Sequence, residues 1–110
     1  MIGFLNVLSG KDKADAGAFR EEFAKAKNDL EIVTLLTRTD FGRKQEDAVT
    51  AAVKLREALS SGVELSTSEK IEVVKLVNQV KVKSVALGTD DSYKTFHILD
   101  SVSEDIRKYL

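Results

Sequence analysis

The sequence predicts an all-α protein, a small helical bundle of three main helices plus a short N-terminal element. The chain of 110 residues contains no proline and six glycines, which favours long uninterrupted helices over a turn-rich β fold. Apolar residues recur at helical spacing along most of the chain. A helix-capping pattern also opens its most apolar stretch, and the length indicates one helical domain spanning residues 1–110.

Residues 1–10, MIGFLNVLSG, form an apolar stretch that we interpret as a short helix or an extended arm, because periodicity cannot separate the two at this length. Packing onto the protein's own core is the main interpretation. Docking on a partner subunit and contact with a membrane surface are the alternatives. The apolar run is shorter than a signal peptide or a bilayer span, so we expect a soluble, cytoplasmic protein without a membrane partner.

A first long helix is predicted over roughly residues 13–38. Its apolar residues step by four and three positions, which is the spacing of a heptad seam: Phe19, Phe23, Ala26, Leu30 and Val33. A seam of this kind packs against another helix, so Phe19, Phe23, Leu30 and Val33 are candidates for a partner interface. Leu35 and Leu36 broaden the seam, and Asn28-Asp29 is a potential break that leaves open one helix or two.

Residues 39–42 are predicted as a turn from which Phe41 can reach the core. The second main helix follows over roughly residues 43–60, where acidic residues early and basic residues late complement the helix dipole. Alanines on its apolar face would allow a neighbouring helix to approach closely. Ser60-Ser61-Gly62 is a typical helix end.

The central helix is predicted over roughly residues 66–87. Ser66 and Glu69 have the spacing of a capping box, and an apolar run follows them. Because only one narrow stripe of its circumference is clearly polar, we expect this helix to be covered on two sides. Residues 80–83 alternate as in a strand, but the capping box and the length favour a helix.

Two polar residues, Asn78 and Lys81, lie near the broad apolar side of this central helix. A buried lysine is costly unless it is paired. The sequence leaves three interpretations open: an edge position where the lysine reaches solvent, a subunit or partner interface, or a polar pocket for a small ligand.

The last helix follows Gly88 and runs to the terminus. Its apolar residues recur at helical spacing: Phe96, Leu99, Val102 and Ile106. The single histidine, His97, lies beside this apolar face and is interpreted as a boundary residue, with a ligand contact as the alternative. Asn78, Lys81 and His97 are therefore the candidates for ligand binding.

The residue inventory argues against several chemistries. Without cysteine there is no disulfide, thiolate nucleophile or cysteine-bound zinc, and one histidine gives little support to a catalytic triad. Neither a phosphate-binding loop nor the Glu-x-x-His pattern of di-iron bundles is present. We therefore predict no enzyme activity, no metal site and no cofactor.

These observations favour a small non-catalytic binding or regulatory protein that acts through protein–protein contacts and forms a homo-oligomer. A DNA-binding regulator with a loose helix-turn-helix in residues 43–87 is the alternative. The net charge of -1 and the interleaving of 17 basic with 18 acidic residues count against it. Its lysines also do not share one helix face: Lys70, Lys75, Lys81 and Lys83. A small-molecule-binding protein is the second alternative.

Overall fold

The computed structural model describes residues 19–110, and this part of the chain is helical without any strand, which confirms the all-α class. Residues 1–18 lie outside it, so the predicted arm over residues 1–10 is not described. Four long helices and one short helix follow one another: α1 over residues 19–34, α2 over Arg38–Arg43, α3 over Gln45–Ser60, α4 over Thr67–Leu87 and α5 over Asp90–Arg107. The predicted bundle of three main helices matches this arrangement only roughly.

Helix α1 is continuous through Asn28 and Asp29, which answers the question of one helix or two within the described residues. It ends at residue 34, four residues before the predicted end. The reason is local, because the Thr37 hydroxyl accepts a hydrogen bond of 3.2 Å from the Asp40 backbone N–H and so caps the next helix. The predicted turn over residues 39–42 is consequently wrong, and these residues belong to α2.

Phe41 of α2 is completely buried, as the sequence suggested. Helix α3 then begins at Gln45 and turns a face rich in small residues towards the core: Ala48, Ala51, Ala52, Leu55, Ala58 and Leu59. Alanine at these positions lets the neighbouring helices pack closely.

The predicted capping box at the start of α4 is present. The Glu69 backbone N–H donates to the Ser66 hydroxyl at 3.2 Å, and the Ser66 backbone N–H donates to the Glu69 carboxylate at 3.1 Å. The helix ends at Gly88, whose φ of 67° lies in the left-handed region that glycine adopts without strain. The strand-like alternation over residues 80–83 therefore lies inside one long helix.

Helix α5 packs against both α3 and α4, whereas α3 and α4 touch each other only slightly. Two contacts show that α1 runs parallel to α4. Arg20 pairs with Glu69 near the N-terminal ends of the two helices, and the Lys83 ammonium donates to the Thr34 carbonyl near their C-terminal ends. All five helices contribute to one core of buried apolar side chains, mainly leucine, valine and alanine with Phe23 and Phe41. Within residues 19–110, no helix combines the length and the apolar character needed to cross a membrane.

The C-terminal ends of α1 and α4 lie side by side, which places two negative ends of helix dipoles next to each other. The end of α1 receives a cation from α4, and the end of α4 receives one from the first residue of α2. The Lys83 ammonium donates to the carbonyls of Thr34, at 2.9 Å, and Leu36. The Arg38 guanidinium donates to the Leu87 carbonyl at 3.3 Å. These contacts join α4 to the end of α1 and to the start of α2.

Candidate functional site

Helix α4 has apolar residues on two opposite sides, and the described part of the chain covers one of them. The inner side is buried in the core: Val73, Leu76, Val77, Val80 and Ser84. The opposite side, which we call the outer face, consists of Ile71, Val74, Lys75, Asn78, Val82 and Val85. On this face the exposed fractions are 64% for Ile71, 69% for Val82 and 40% for Val85.

The outer face follows directly from the residue spacing. From Ile71, exposed positions step by four and three residues through Lys75, Asn78 and Val82 to Val85, so they form one stripe along a 3.6-residue helix. The apolar run of α4 is thus divided between a stripe that faces the core and a stripe that faces outward.

Leu35 adjoins this stripe and is 85% exposed. It follows the end of α1 at residue 34, where the chain turns outward, and it lines a cleft between α1 and α4 together with Val82 and Asn78. The apolar surface therefore extends from one helix onto a second element.

The heptad seam of α1 lies elsewhere. Phe23, Leu30 and Val33 are buried in the core of the chain itself, and Phe19 is half-buried. Three of the four predicted interface residues are therefore packed within the chain, and Phe19 keeps part of its surface exposed. The pattern correctly indicated a helix that packs against others, and those others are α3 and α4 of the same chain.

Lys81 turns away from the outer face towards α5. Its ammonium lies 2.7 Å from the Asp100 carboxylate and 5.9 Å from the centre of the Phe96 ring. The hydrogen bond from Lys81 holds the pKa of Asp100 below its ordinary value. Lys81 thus occupies a paired position at the edge of the outer face.

Among the described residues, the structure separates the cleft beside Asn78 from the other two predicted ligand residues. Asn78 lines the cleft between α1 and α4, and that cleft includes neither Lys81 nor His97. His97 is exposed on α5, where its ring meets the edge of Phe96 at 5.7 Å between centres. Asn78 is therefore the one residue of this set that belongs to the outer face.

The lysines of the helix-turn-helix alternative are likewise dispersed. Lys81 pairs with Asp100, and Lys83 donates to backbone carbonyls at the end of α1. Lys75 lies on the outer face among apolar neighbours. These three lysines therefore do not form one exposed basic surface of the kind that contacts phosphates.

Leu35, Ile71, Val82 and Val85 were not among the site residues predicted from the sequence. The exposure of Leu35 depends on where α1 ends, and the sequence pattern had placed this residue only among those that broaden the heptad seam. The other three carried a usable signal, because they lie opposite the inner side of α4 on a helical wheel.

The chain matches no protein-family model, no curated protein and no solved structure. Within residues 19–110, no three histidine, aspartate or glutamate side chains come together as metal ligands. The feature that distinguishes the described surface is the apolar outer face of α4 with Leu35 beside it.

Proposed function

We propose that this chain is a non-catalytic binding or regulatory protein that works through protein–protein contact at the outer face of α4, as a homo-oligomer. One observation carries the proposal: Leu35, Ile71, Val82 and Val85 are all exposed on one side of the molecule, by 40–85% of their surface. Several large apolar side chains exposed on one side of a folded domain are typical of an interaction site.

The energetics of this face favour its burial. Removing a valine, leucine or isoleucine side chain from water contributes roughly 1.5–3 kcal/mol when the burial is complete. Four such side chains that already lie on fixed backbone add to association with little loss of backbone freedom. The helix α4 that carries three of them is anchored by its buried inner side.

The polar groups of the outer face do not prevent a partner from binding there, and they restrict which partner can bind. None of its six residues is acidic, and Lys75 is the one charged residue among them. Lys81, at the edge, is already neutralised by Asp100. Asn78 needs a hydrogen-bonding partner once water is removed, so a contact here must provide one.

Val82→Lys tests the proposal, because it places a charge at the most exposed valine of the stripe, beside Leu35. Ile98→Lys is the matched control, since Ile98 is a 48% exposed apolar residue on α5. Size-exclusion chromatography with light scattering should give a mass above that of the monomer for the native chain. We expect Val82→Lys to weaken association at least about tenfold, which corresponds to about 1.4 kcal/mol, and Ile98→Lys to leave it unchanged.

Two results would contradict this proposal. One is a native chain that stays monomeric at every concentration tested. The other is an associated chain in which Val82→Lys and Ile98→Lys behave alike, because the contact would then lie on another surface.

A further inference from the structure

We infer that the occupant of the outer face is a second copy of this chain, with the two α4 helices antiparallel across a two-fold axis beside Asn78. This inference rests on the proposed function and adds the partner and its geometry. A two-fold interface joins the same patch on both copies, so that patch must be complementary to itself.

The outer face has this self-complementarity. Counted from Asn78, four positions in either direction lead to Val74 and Val82, and seven lead to Ile71 and Val85. When two copies of α4 run antiparallel about Asn78, Ile71 meets the partner's Val85 and Val74 meets the partner's Val82. Each apolar residue of the stripe then meets an apolar residue of the partner.

Asn78, at the centre of this arrangement, fixes the register of one α4 helix along the other. A carboxamide carries both a donor and an acceptor, so two Asn78 side chains that meet at the axis can exchange hydrogen bonds. Any shift of one helix along the other would bury these groups against valine without partners, which costs free energy. A single polar residue in an apolar helix seam is known to fix register in this way.

The charges on the face distinguish the antiparallel arrangement from a parallel one. In a parallel pair in register, Lys75 would lie opposite the partner's Lys75, and the two like charges would repel. In the antiparallel pair the two Lys75 backbones are six positions apart along the helix axis, or about 9 Å. In the antiparallel pair only Asn78 lies opposite its own copy, whereas in a parallel pair in register every residue does.

The absence of cysteine from the sequence makes a direct test available, because any introduced thiol is the sole one in the chain. Packed helix axes lie about 8–10 Å apart and each Cα lies about 2.3 Å from its axis, so Cα atoms that face each other are about 3–5 Å apart. That spacing overlaps the range of roughly 4.4–6.8 Å found in disulfides. Only a residue beside the two-fold axis reaches its own copy in this way.

The experiment compares disulfide formation under mild oxidation in full-length chains with single substitutions. Asn78→Cys should form a covalent dimer at least about tenfold faster than Ser101→Cys, an exposed position on α5 that reports random collisions. Ile71→Cys alone should not form a covalent dimer faster than Ser101→Cys. In the antiparallel pair the two copies of residue 71 are separated by fourteen positions along the helix axis, or about 21 Å. An equimolar mixture of Ile71→Cys and Val85→Cys chains should form the mixed disulfide.

The outcomes separate this inference from the proposed function. Rapid disulfide formation by Asn78→Cys, Ile71→Cys and Val85→Cys each alone would indicate a parallel pair and overturn the antiparallel geometry. A native chain that associates while neither Asn78→Cys nor the mixture of Ile71→Cys and Val85→Cys, in which both chains keep Asn78, reacts faster than Ser101→Cys would overturn the two-fold axis and leave the proposed function standing. A native chain that remains monomeric in analytical ultracentrifugation would contradict both the antiparallel dimer and the proposed function.

Discussion

Ser84 is a serine in a position that the core would fill better with an apolar residue. It has no exposed surface, and its hydroxyl has no hydrogen-bond partner among the described residues. A buried polar group without a partner carries the cost of its desolvation. The inner side of α4 therefore contains one group that opposes folding.

We predict that Ser84→Ala raises the free energy of unfolding by roughly 1 kcal/mol, because it removes the unpaired hydroxyl and leaves only a small void. Urea unfolding followed by circular dichroism measures the change. Ser101→Ala, at an exposed position on α5, is the control and should shift stability by no more than about 0.5 kcal/mol. A lower stability for Ser84→Ala would show that the hydroxyl is satisfied in the folded chain.

Glu69 makes stability depend on pH. The hydrogen bond from the Ser66 backbone N–H, followed by that from Arg20, holds the pKa of Glu69 below its ordinary value of 4.5. A lowered pKa means that the folded chain favours the ionised form. This contribution is therefore fully present above about pH 4.5 and is lost as the pH falls through the lower folded value.

Glu69→Gln should remove this pH dependence while keeping an acceptor for the capping box. We expect the difference in stability between the native chain and Glu69→Gln to be largest near neutral pH and to shrink as the pH falls below 4.5. Urea unfolding at a series of pH values measures it. A difference that stays constant across the series would be evidence against the shifted pKa.

At the residue scale, the sequence predicts what depends on near neighbours. The capping box needs only Ser66 and Glu69 at a spacing of three, so it could be predicted and is present. The unpaired hydroxyl of Ser84 and the pairing of Lys81 with Asp100 depend on how helices pack. Positions 81 and 100 are brought together only by the antiparallel contact between α4 and α5, which no local pattern specifies.

At the scale of elements, Lys83 links α4 to the end of α1. Lys83→Met keeps an unbranched side chain as far as Cε and removes the ammonium, so the Thr34 and Leu36 carbonyls lose their charged donor. Hydrogen bonds to charged groups contribute about 1.5–3 kcal/mol. We predict a loss of roughly that size in the free energy of unfolding, measured with urea.

Lys94→Met is the matched control for this substitution, because Lys94 is exposed on α5 and methionine has a similar helix propensity. Its stability should differ little from that of the native chain. Equal effects of the two substitutions would mean that the lysine at position 83 does not cap α1.

The boundaries of the helices show which signals are decisive. Helix α4 was predicted over residues 66–87 and spans Thr67–Leu87, because a capping box and a glycine mark its two ends. The end of α1 was misplaced by four residues, since no glycine marks it. Thr37 is a good N-cap, but threonine is also common elsewhere, and its capping role becomes evident only once α2 is seen.

At the scale of the whole molecule, a heptad pattern indicates that a helix face will be covered and does not say by what. The seam of α1 is covered by its own chain, whereas the outer face of α4 is exposed in the described residues. The sequence did predict that α4 needs cover on two sides. Which of the two apolar surfaces remains free depends on how the four long helices are arranged, and spacing alone does not determine that.

Contact between two copies at the outer face should protect this face from reagents in solution, and the protection can be measured. Val82→Cys keeps a small apolar side chain on the outer face, and its thiol is the only one in the chain. We predict that its alkylation slows as the chain concentration rises, by about fivefold when the total concentration is ten times the dissociation constant of a dimer. Ile98→Cys on α5 should react at one rate throughout. An alkylation rate for Val82→Cys that does not change with concentration would contradict the claim that two copies of the chain meet at the outer face of α4.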